Sequence, residues 1–489
     1  MGHIIRLSSV AVNACFSYDN HSKKERLLSS PLLYARFPYD RIAINPNHFI
    51  TRDGALTSRV NVAFARSLLR TNYNVTESKI LIQGVCSMNY TPEEVLLYVK
   101  EEDVKFIRMA FCDVYGRQKN VAIMADQLPR AFEHGIAIDA SAIDGFQGEV
   151  RSDLFLKPDS STLVELPWRP QQGRVNMMFC DIVRPDGAPF EADTRNILRQ
   201  AVGYASNLGY TFSFGTEMEF YLFKTDENGK RTPEPFDDAG YMDIGPDDKG
   251  QNVRREICLT LEQMGILPEA SHHESGPGQN EIDFRYAEPL AAADHAVLFR
   301  SVVKTIASLN GLWADFSPRP LPKHDGSGMH INISAKKNGT RVSPLLLIPG
   351  LMDKICEITL FLNPCENSYE RLGRDKAPAY VTWSEENRSQ LIRIPASAEQ
   401  YRRLELRSPD SMANPYLAFA LIMHACLNGI QQGLPLPPAA DFNTFNAPEE
   451  LLKPYARLPG SLKEAQAAAS CSSFVRELLP AEIISAYCS

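Results

Sequence analysis

Several short stretches of this 489-residue sequence line up side chains that could hold cations. In YTFSFGTEMEFYLF, side chains of an extended chain alternate, so Glu217 and Glu219 share one face with Ser213 and Tyr221. Phe212, Phe214, Met218, Phe220 and Leu222 take the other face. In HHESGPGQNEIDF, a turn at Gly276-Pro277-Gly278 predicts a hairpin of ASHHES against QNEIDFRYA. That hairpin brings Glu274 near Glu281 and alternates Glu281, Asp283 and Arg285 with Ile282, Phe284 and Tyr286. After Asp325-Gly326-Ser327-Gly328, the stretch MHINIS sets His330, Asn332 and Ser334 against Met329, Ile331 and Ile333. RRLELR sets Arg403, Glu405 and Arg407 against Leu404 and Leu406.

Each stretch alone has a plainer reading: a solvated outer face, a hairpin whose charges never converge, a structural histidine, a surface salt-bridge ladder. Like charges facing each other across strands are destabilising unless something positive lies between them, and a divalent cation with oxygen ligands is the simplest candidate. Together the strands supply Glu217, Glu219, Glu274, Glu281, His330 and Glu405, a set suited to two hard ions. Arg371, Arg388, Arg393, Arg403 and Arg407 add guanidinium groups suited to phosphates and carboxylates. The combination points to phosphoryl transfer. The sequence has no G-x-x-x-x-G-K-[ST] loop, and SGPGQ lacks the third glycine and following helix of a dinucleotide site, so metals and arginines must hold any nucleotide.

The elements that must position these residues are legible from residue 88 onward. Thr91-Pro92-Glu93-Glu94 is a helix start with a capping box, followed by the apolar run VLLYV. KFIRMAFCDV and KNVAIMA read as strands around Tyr115-Gly116-Arg117, and QLPRAFEHG as a short helix ending at Gly135. These elements predict a small α+β domain over 88–193. A second, larger domain over 194–489 opens with the helix NILRQAVGYASNLG, whose Ile197, Leu198, Ala201, Val202, Ala205 and Leu208 fall at helical spacing.

Composition bounds the class. The chain is 44% apolar, enough for a sizeable core, and no apolar run approaches the ~18 to 20 residues of a membrane span. The start lacks a signal-peptide pattern. A net charge of −8 argues against nucleic acid as a partner. Ten cysteines without any C-x-x-C pair suit packing in a reducing cytoplasm. Residues 1–87 carry eleven Lys/Arg against five Asp/Glu, net +6, leaving −14 for the rest. No sustained period is visible in them, and HSKKERLLSSP and YDRIAINPNHFITRDG read as loop or disorder. A transit peptide, a basic arm and an upstream start codon are all open, the last being favoured. On that reading a chain starting at Met88 assembles and works normally.

GTEMEFYLF, HHESGPGQNEIDF, GSGMHINIS, NSYERL, ENRSQLIRIP and RRLELRSPDSMANPYLA, in that order, resemble the signature segments of glutamine synthetase in its bacterial and archaeal form. The resemblance runs from about Met88 to the C-terminus. It implies a β-grasp-like N-terminal domain, a larger catalytic α/β domain, and a double hexameric ring with each active site between neighbouring subunits. It implies that Glu219, Glu274 and Glu281 hold one Mg2+ or Mn2+ beside the amino acid, and that Glu217, His330 and Glu405 hold a second on the nucleotide phosphates. Glu269, Ser334, Arg393 and Arg403 would contact ATP, with Arg388 neutralising charge that develops on the transferred phosphate, and Gly326, Arg371 and Arg407 would meet glutamate. Asp139, from a neighbouring subunit, would help bind ammonium and remove its proton. The implied reaction is ATP-dependent ligation of glutamate and ammonia through γ-glutamyl phosphate. A larger amine acceptor and a non-catalytic ring protein are the alternatives.

The departures from the family pattern concern the acceptor. The flap after Arg371 normally ends in Glu-Ala-Pro; here RLGRDKAPAY is one residue shorter and places Lys376 before Ala377-Pro378. Asp139-Ala140-Ser141-Ala142 stands where Asp-Gly-Ser-Ser is usual, and Asp325 where an asparagine is usual. NTFNAPEE has Phe445 where some relatives carry a modifiable tyrosine, so nucleotidylation at that position is not expected. If Lys376 points inward it repels ammonium; if it points outward, Asp375, Asp139 or Asp325 supplies the missing carboxylate.

Overall fold

The computed structural model describes residues 33–36, 41–44 and 90–489, except 149, 170 and 171. The chain divides into two units, residues 1–84 and 85–489. In the first, β1 (Leu33–Arg36) and β2 (Arg41–Ile44) pair antiparallel, Leu33 opposite Ile44. RIAI therefore forms a strand inside a stretch expected to be loop: four residues are too few to show a period, but enough to pair. The rest of the expected loop or disorder lies outside the described residues.

The second unit begins its described structure with α1 (Pro92–Glu101), where Thr91 and Glu94 form the reciprocal capping box and Pro92 occupies the first turn. It leads into a six-stranded sheet made of β3 (Val104–Cys112), β4 (Gln118–Met124), β5 (Ile136–Asp139), β6 (Asp153–Pro158), β7 (Val164–Glu165) and β8 (Arg174–Val183). Their order is β4-β3-β8-β6-β5, with β7 beside β8 and only β3 and β8 parallel. The expected turn at residues 115–117 joins β3 to β4, and α2 (Leu128–His134) ends at Gly135. Val95, Val99, Ile107, Met109, Leu154, Leu156, Met178 and Ile182 are buried in this domain's core.

The larger sheet has ten strands: β9 (Tyr210–Thr225), β10 (Arg231–Pro235), β11 (Pro268–His273), β12 (Gln279–Phe284), β13 (Leu312–Asp315), β14 (Met329–Lys337), β15 (Thr340–Arg341), β16 (Trp383–Glu385), β17 (Ile392–Ile394) and β18 (Leu404–Leu406). Its path is β11-β12-β9-β14-β18-β17-β16. β9 is the spine: its first half pairs with β14, while β10, β12 and β13 all join its second half.

The apolar face of β9 turns toward helices. α3 (Thr194–Asn207), α5 (Pro289–Leu309), α6 (Ile348–Leu362) and α8 (Pro415–Gln432) form the opposite layer, and α4 (Gln251–Gln263) and the short α7 (Glu366–Arg371) lie between strands in sequence. Phe214 of β9 stacks on Phe419 of α8 with ring centroids 4.3 Å apart, and Phe220 meets Phe299 of α5 edge-on at 6.1 Å. The helices thus cover the odd-even partner of the acidic face and leave that face free for a site. The C-terminal helix Ala481–Cys488 returns to the small domain, where the Tyr487 hydroxyl donates to the Val114 carbonyl at 3.1 Å.

Candidate active site

Strand register converts the alternating pattern into a cluster. Across β9 and β12, Glu219 stands opposite Glu281 and Glu217 opposite Asp283. Across β11 and β12, His272 stands opposite Glu281. On the other side of β9, His330 stands opposite Glu217, and beyond it Asn332 faces Glu405, which in turn faces Arg393. The predicted hairpin exists: the Glu274 N–H donates to the Gln279 carbonyl at 2.8 Å, and the Gln279 N–H to the Gly276 carbonyl at 2.9 Å. Gly278 sits at φ +68°, and a Cβ on Gly276 would lie 2.0 Å from the Tyr221 hydroxyl, so both glycines are required by the turn.

Ligand-type atoms of Glu217, His330 and Glu405 lie within 4.8 Å of one another. The same holds for Glu219, Glu281 and His330, for His272, Glu274 and Glu281, and for Glu217, Glu281 and Asp283. His330 Nδ1 is 3.4 Å from Glu217 and 3.9 Å from Glu405. Burial works to raise the Glu217 pKa, but the hydrogen bond and charge of His330, with Asn332 donating at 2.8 Å, outweigh it and hold the group at about 2. Glu281 is different: burial first, then Glu219, Glu217 and Glu274, hold its carboxyl well above the usual range. Burial, Glu281 and Glu217 push Asp283 up to about 9.

Guanidinium groups border this face on one side. Glu405, fully buried, accepts from Arg393 at 2.7 Å and from Arg407. The Nε atoms of Arg393 and Arg407 are buried without a hydrogen-bond partner. Arg403 Nε donates to Asn332 at 2.8 Å, linking it to the carboxylate row. Arg371 is buried, which lowers its pKa against the pull of Glu219 and Asp410, and it donates to the Ser408 carbonyl at 2.7 Å. Gly328 lets this packing close: a Cβ there would come within 2.6 Å of Arg371 Nη2 and 3.0 Å of His330 Nε2.

Lys376 points inward. Its Nζ lies 3.1 Å from Glu274 Oε2, donates to Ser275 Oγ at 2.5 Å, and is 3.5 Å from Asp325 Oδ2. It also sits 4.9 Å from the centroid of the Tyr241 ring. Burial opposes its charge, but Glu274 and then Asp325 raise its pKa above the ordinary lysine value.

Two family models match this chain. The glutamine synthetase catalytic domain matches residues 191–489, and the glutamine synthetase β-grasp domain residues 103–185. The chain is 44% identical over 391 residues to a glutamine synthetase of Clostridium saccharobutylicum, covering 77% of this chain and 88% of that one. It is 44% identical over 412 residues to one of Methanosarcina mazei, covering 81% and 92%. The chain belongs to the glutamine synthetase family. It is therefore an ATP-dependent ligase that forms an amide carbon–nitrogen bond, with the expected β-grasp and catalytic domains. Among solved structures it is similar to a GmaS–ADP complex and to GmaS without ligand, at TM-scores of 0.73 and 0.72 and 27% identity in each, covering 80% and 81% of this chain and 93% of each of those.

The acidic face fits the divalent ions this family implies. Carboxylates that burial and mutual repulsion drive toward protonation are oxygen ligands with an unmet need for positive charge. Of the residues expected to hold them, Glu217, His330 and Glu405 form one group, and Glu219 and Glu281 share another with His330. Glu274 is close to Glu281 but pairs with Lys376. Ser334 continues the face of His330 and Asn332 along β14, and Gly326 accepts from Gln279 Nε2 at 3.2 Å.

Three expected residues lie apart from the cluster. Glu269 is exposed at the start of β11, 3.9 Å from Arg285. Arg388 is exposed on the turn between β16 and β17. Asp139 is exposed on the small sheet, its carboxylate accepting from the Ser141 N–H at 2.9 Å and hydroxyl at 2.6 Å, which lowers its pKa. Asp283 and His272 belong to the cluster although sequence reasoning did not name them as ligands. The signal for Asp283 was its place two residues beyond Glu281 on one strand face.

Among the described residues no helix is long and apolar enough to cross a membrane.

Proposed function

We propose that this chain joins glutamate to ammonia at the expense of ATP, through γ-glutamyl phosphate, and so makes glutamine in cytoplasmic nitrogen metabolism. The observation that carries this reading is the strand register that sets Glu219 against Glu281 and Glu217 against His330 beside the Arg393–Glu405–Arg407 bridge. The reaction brings an anionic carboxylate to an anionic phosphate, and this face has the groups to offset that repulsion. Glu219, Glu274 and Glu281 would hold one Mg2+ or Mn2+, and Glu217, His330 and Glu405 a second. When bound, these ions supply charge neutralisation and polarise phosphate oxygens.

The chain's own residues do the rest. Arg371, Arg407 and the Gly326 backbone orient glutamate so that a γ-carboxylate oxygen faces the γ-phosphorus. Glu269, Ser334, Arg388, Arg393 and Arg403 hold ATP, with ADP leaving as the oxygen–phosphorus bond forms. An uncharged nitrogen then attacks the acyl carbon, phosphate leaves, and one proton passes to a carboxylate. Asp139 is the proposed acceptor of that proton. Its exposed place on the small sheet suits service to a neighbouring subunit in a double hexameric ring.

A second reading has a larger amine as acceptor. Likeness to GmaS, a γ-glutamylmethylamide synthetase, favours it. The names of the relatives in Clostridium and Methanosarcina favour ammonia. Phosphate release with glutamate, ATP and either ammonium or a panel of primary amines decides between them. Release that requires glutamate and responds to ammonium supports the first reading. Response to amines alone overturns it, and no glutamate-dependent release overturns both.

A further inference from the structure

The group around Lys376 Nζ has the makings of a receptor for a small cation. Two carboxylates, Glu274 at 3.1 Å and Asp325 at 3.5 Å, share it with the Ser275 hydroxyl and the face of Tyr241. Glu274 is held for this contact by its own neighbours: the Ser275 N–H donates to the same Oε2 at 3.0 Å, and His272 lies 3.8 Å from Oε1. A free ammonium ion would find every feature it needs here, except that the chain's own ammonium is already present.

The backbone explains why Lys376, and not its neighbour, faces inward. Asp375 adopts φ +53° two residues after Gly373 at φ +77°, and its carboxylate is drawn away to Arg319 at 2.8 Å. That bridge fixes the segment between α7 and β16 and commits the next side chain to the Glu274 side. The lysine is half exposed, so its stem can swing aside without opening the core.

We infer that Lys376 determines acceptor preference by occupying the cation position between Glu274, Ser275 and Asp325, so that a cationic acceptor must displace it and an uncharged one need not. The inference rests on the ligase reading above. Ammonium is penalised because it arrives charged and meets a like charge in the place its counter-charges define. Hydroxylamine is largely uncharged at neutral pH and escapes that competition. Its nitrogen forms the bond to the acyl carbon of γ-glutamyl phosphate, the carbon–oxygen bond to phosphate breaks, and one proton is released, giving γ-glutamyl hydroxamate.

The test uses the full chain with ATP, glutamate and a divalent metal. It measures the ratio of apparent KM for ammonium to that for hydroxylamine in wild type, Lys376→Gln and Lys376→Arg. The expected result is a ratio lowered by about tenfold or more in Lys376→Gln, corresponding to about 1.4 kcal/mol, and kept near wild type in Lys376→Arg, which preserves the cation. An unchanged ratio in Lys376→Gln, or equal ratios in the two variants, overturns the inference. Absence of hydroxamate from wild type overturns the ligase reading and this inference with it. Hydroxamate formation with an unaltered ratio overturns the inference alone.

Discussion

Glu281 is flanked on both sides by groups of its own strand layer: Glu219 across one ladder and His272 across the other, with Asp283 two residues along. Such a position costs the fold a repulsion that a bound cation would relieve. Its raised pKa means that the folded state keeps a proton that the unfolded state loses, so the contribution of Glu281 is most favourable below the ordinary carboxylate pKa and is lost as pH rises from there through the raised value. Glu281→Gln should therefore raise the stability of the metal-free protein near pH 7.5, by about 1 kcal/mol, while reducing glutamate-dependent ATP turnover by about 100-fold or more. His330→Ala should also end turnover, but without the stability gain, because it removes the partner that holds Glu217 ionised. Denaturant midpoints without metal, measured beside turnover with it, check both variants; near-normal turnover in either would refute the assignment. Positions like Glu281 were legible because strand alternation is periodic and a wrong phase would bury charge against the core. The direction of Lys376 was not legible. It depends on the dihedrals of a short loop and on Arg319, distant in sequence, capturing Asp375.

At the level of elements, the hairpin of β11 and β12 is propped from behind by a buried pair absent from the sequence reading. His273 Nε2 lies 2.8 Å from Asp237 Oδ1, and its Nδ1 lies 2.6 Å from the Glu274 carbonyl. Both ring nitrogens thus face acceptors, an arrangement that the doubly protonated imidazolium satisfies. Burial would lower the His273 pKa, but the bonds to Asp237 and Glu274 raise it; burial would raise that of Asp237, but His273 and the Gly278 and Lys249 amides lower it. The histidine contribution is complete below its ordinary pKa and is lost as pH rises through the raised value. The aspartate contribution is present above its ordinary pKa and is lost as pH falls. The prop should be strongest between about pH 4 and about pH 6.5. Asp237→Asn should cost about 1 to 3 kcal/mol and speed amide hydrogen exchange at Glu274 and Gln279 more than in the β9–β14 ladder. Equal protection in variant and wild type would show that the turn glycines alone hold the hairpin. The hairpin itself was legible from Gly-Pro-Gly between alternating runs. Its prop was not, because Asp237 is 36 residues from His273 and carries no period.

Across the whole molecule, the small domain and the catalytic layer meet at buried polar contacts, among them Arg300 donating to the Gly116 carbonyl at 2.9 Å, Asn414 to the Val114 carbonyl at 2.9 Å, and a cluster of carboxylates around Arg195 and Arg199. Arg195, buried at the start of α3, donates to Asp294 of α5 at 3.0 and 2.9 Å, to Asp181 of β8 at 2.8 Å, and to Asp159 just beyond β6 at 2.9 Å. Tyr416 of α8 donates to the same Asp294 at 2.6 Å. In the sequence a second domain is expected from about residue 194, where the helix NILRQAVGYASNLG opens. The sequence could not show the part Arg195 plays, since an arginine in the first turn of a helix reads as an ordinary surface residue until the carboxylates converge on it. Burial tends to raise the Asp159 pKa, but Arg195 overcomes this and holds it low. In wild type that stabilisation is present above the ordinary carboxylate pKa and is lost only as pH falls. Arg195→Met removes the buried cation and leaves Asp294 without its guanidinium partner, while Arg199 still pairs with Asp181 at 2.8 Å and Asp159 at 3.6 Å, and should cost roughly 3 to 5 kcal/mol. The pH dependence at Asp159 should also weaken: Ser161 and Arg199 still favour its ionised form but the Arg195 contribution is gone, so the deficit relative to wild type should grow as pH rises through the ordinary carboxylate range. Urea midpoints of the two proteins across that range measure the deficit directly. A constant deficit would mean that Arg195 acts through packing alone.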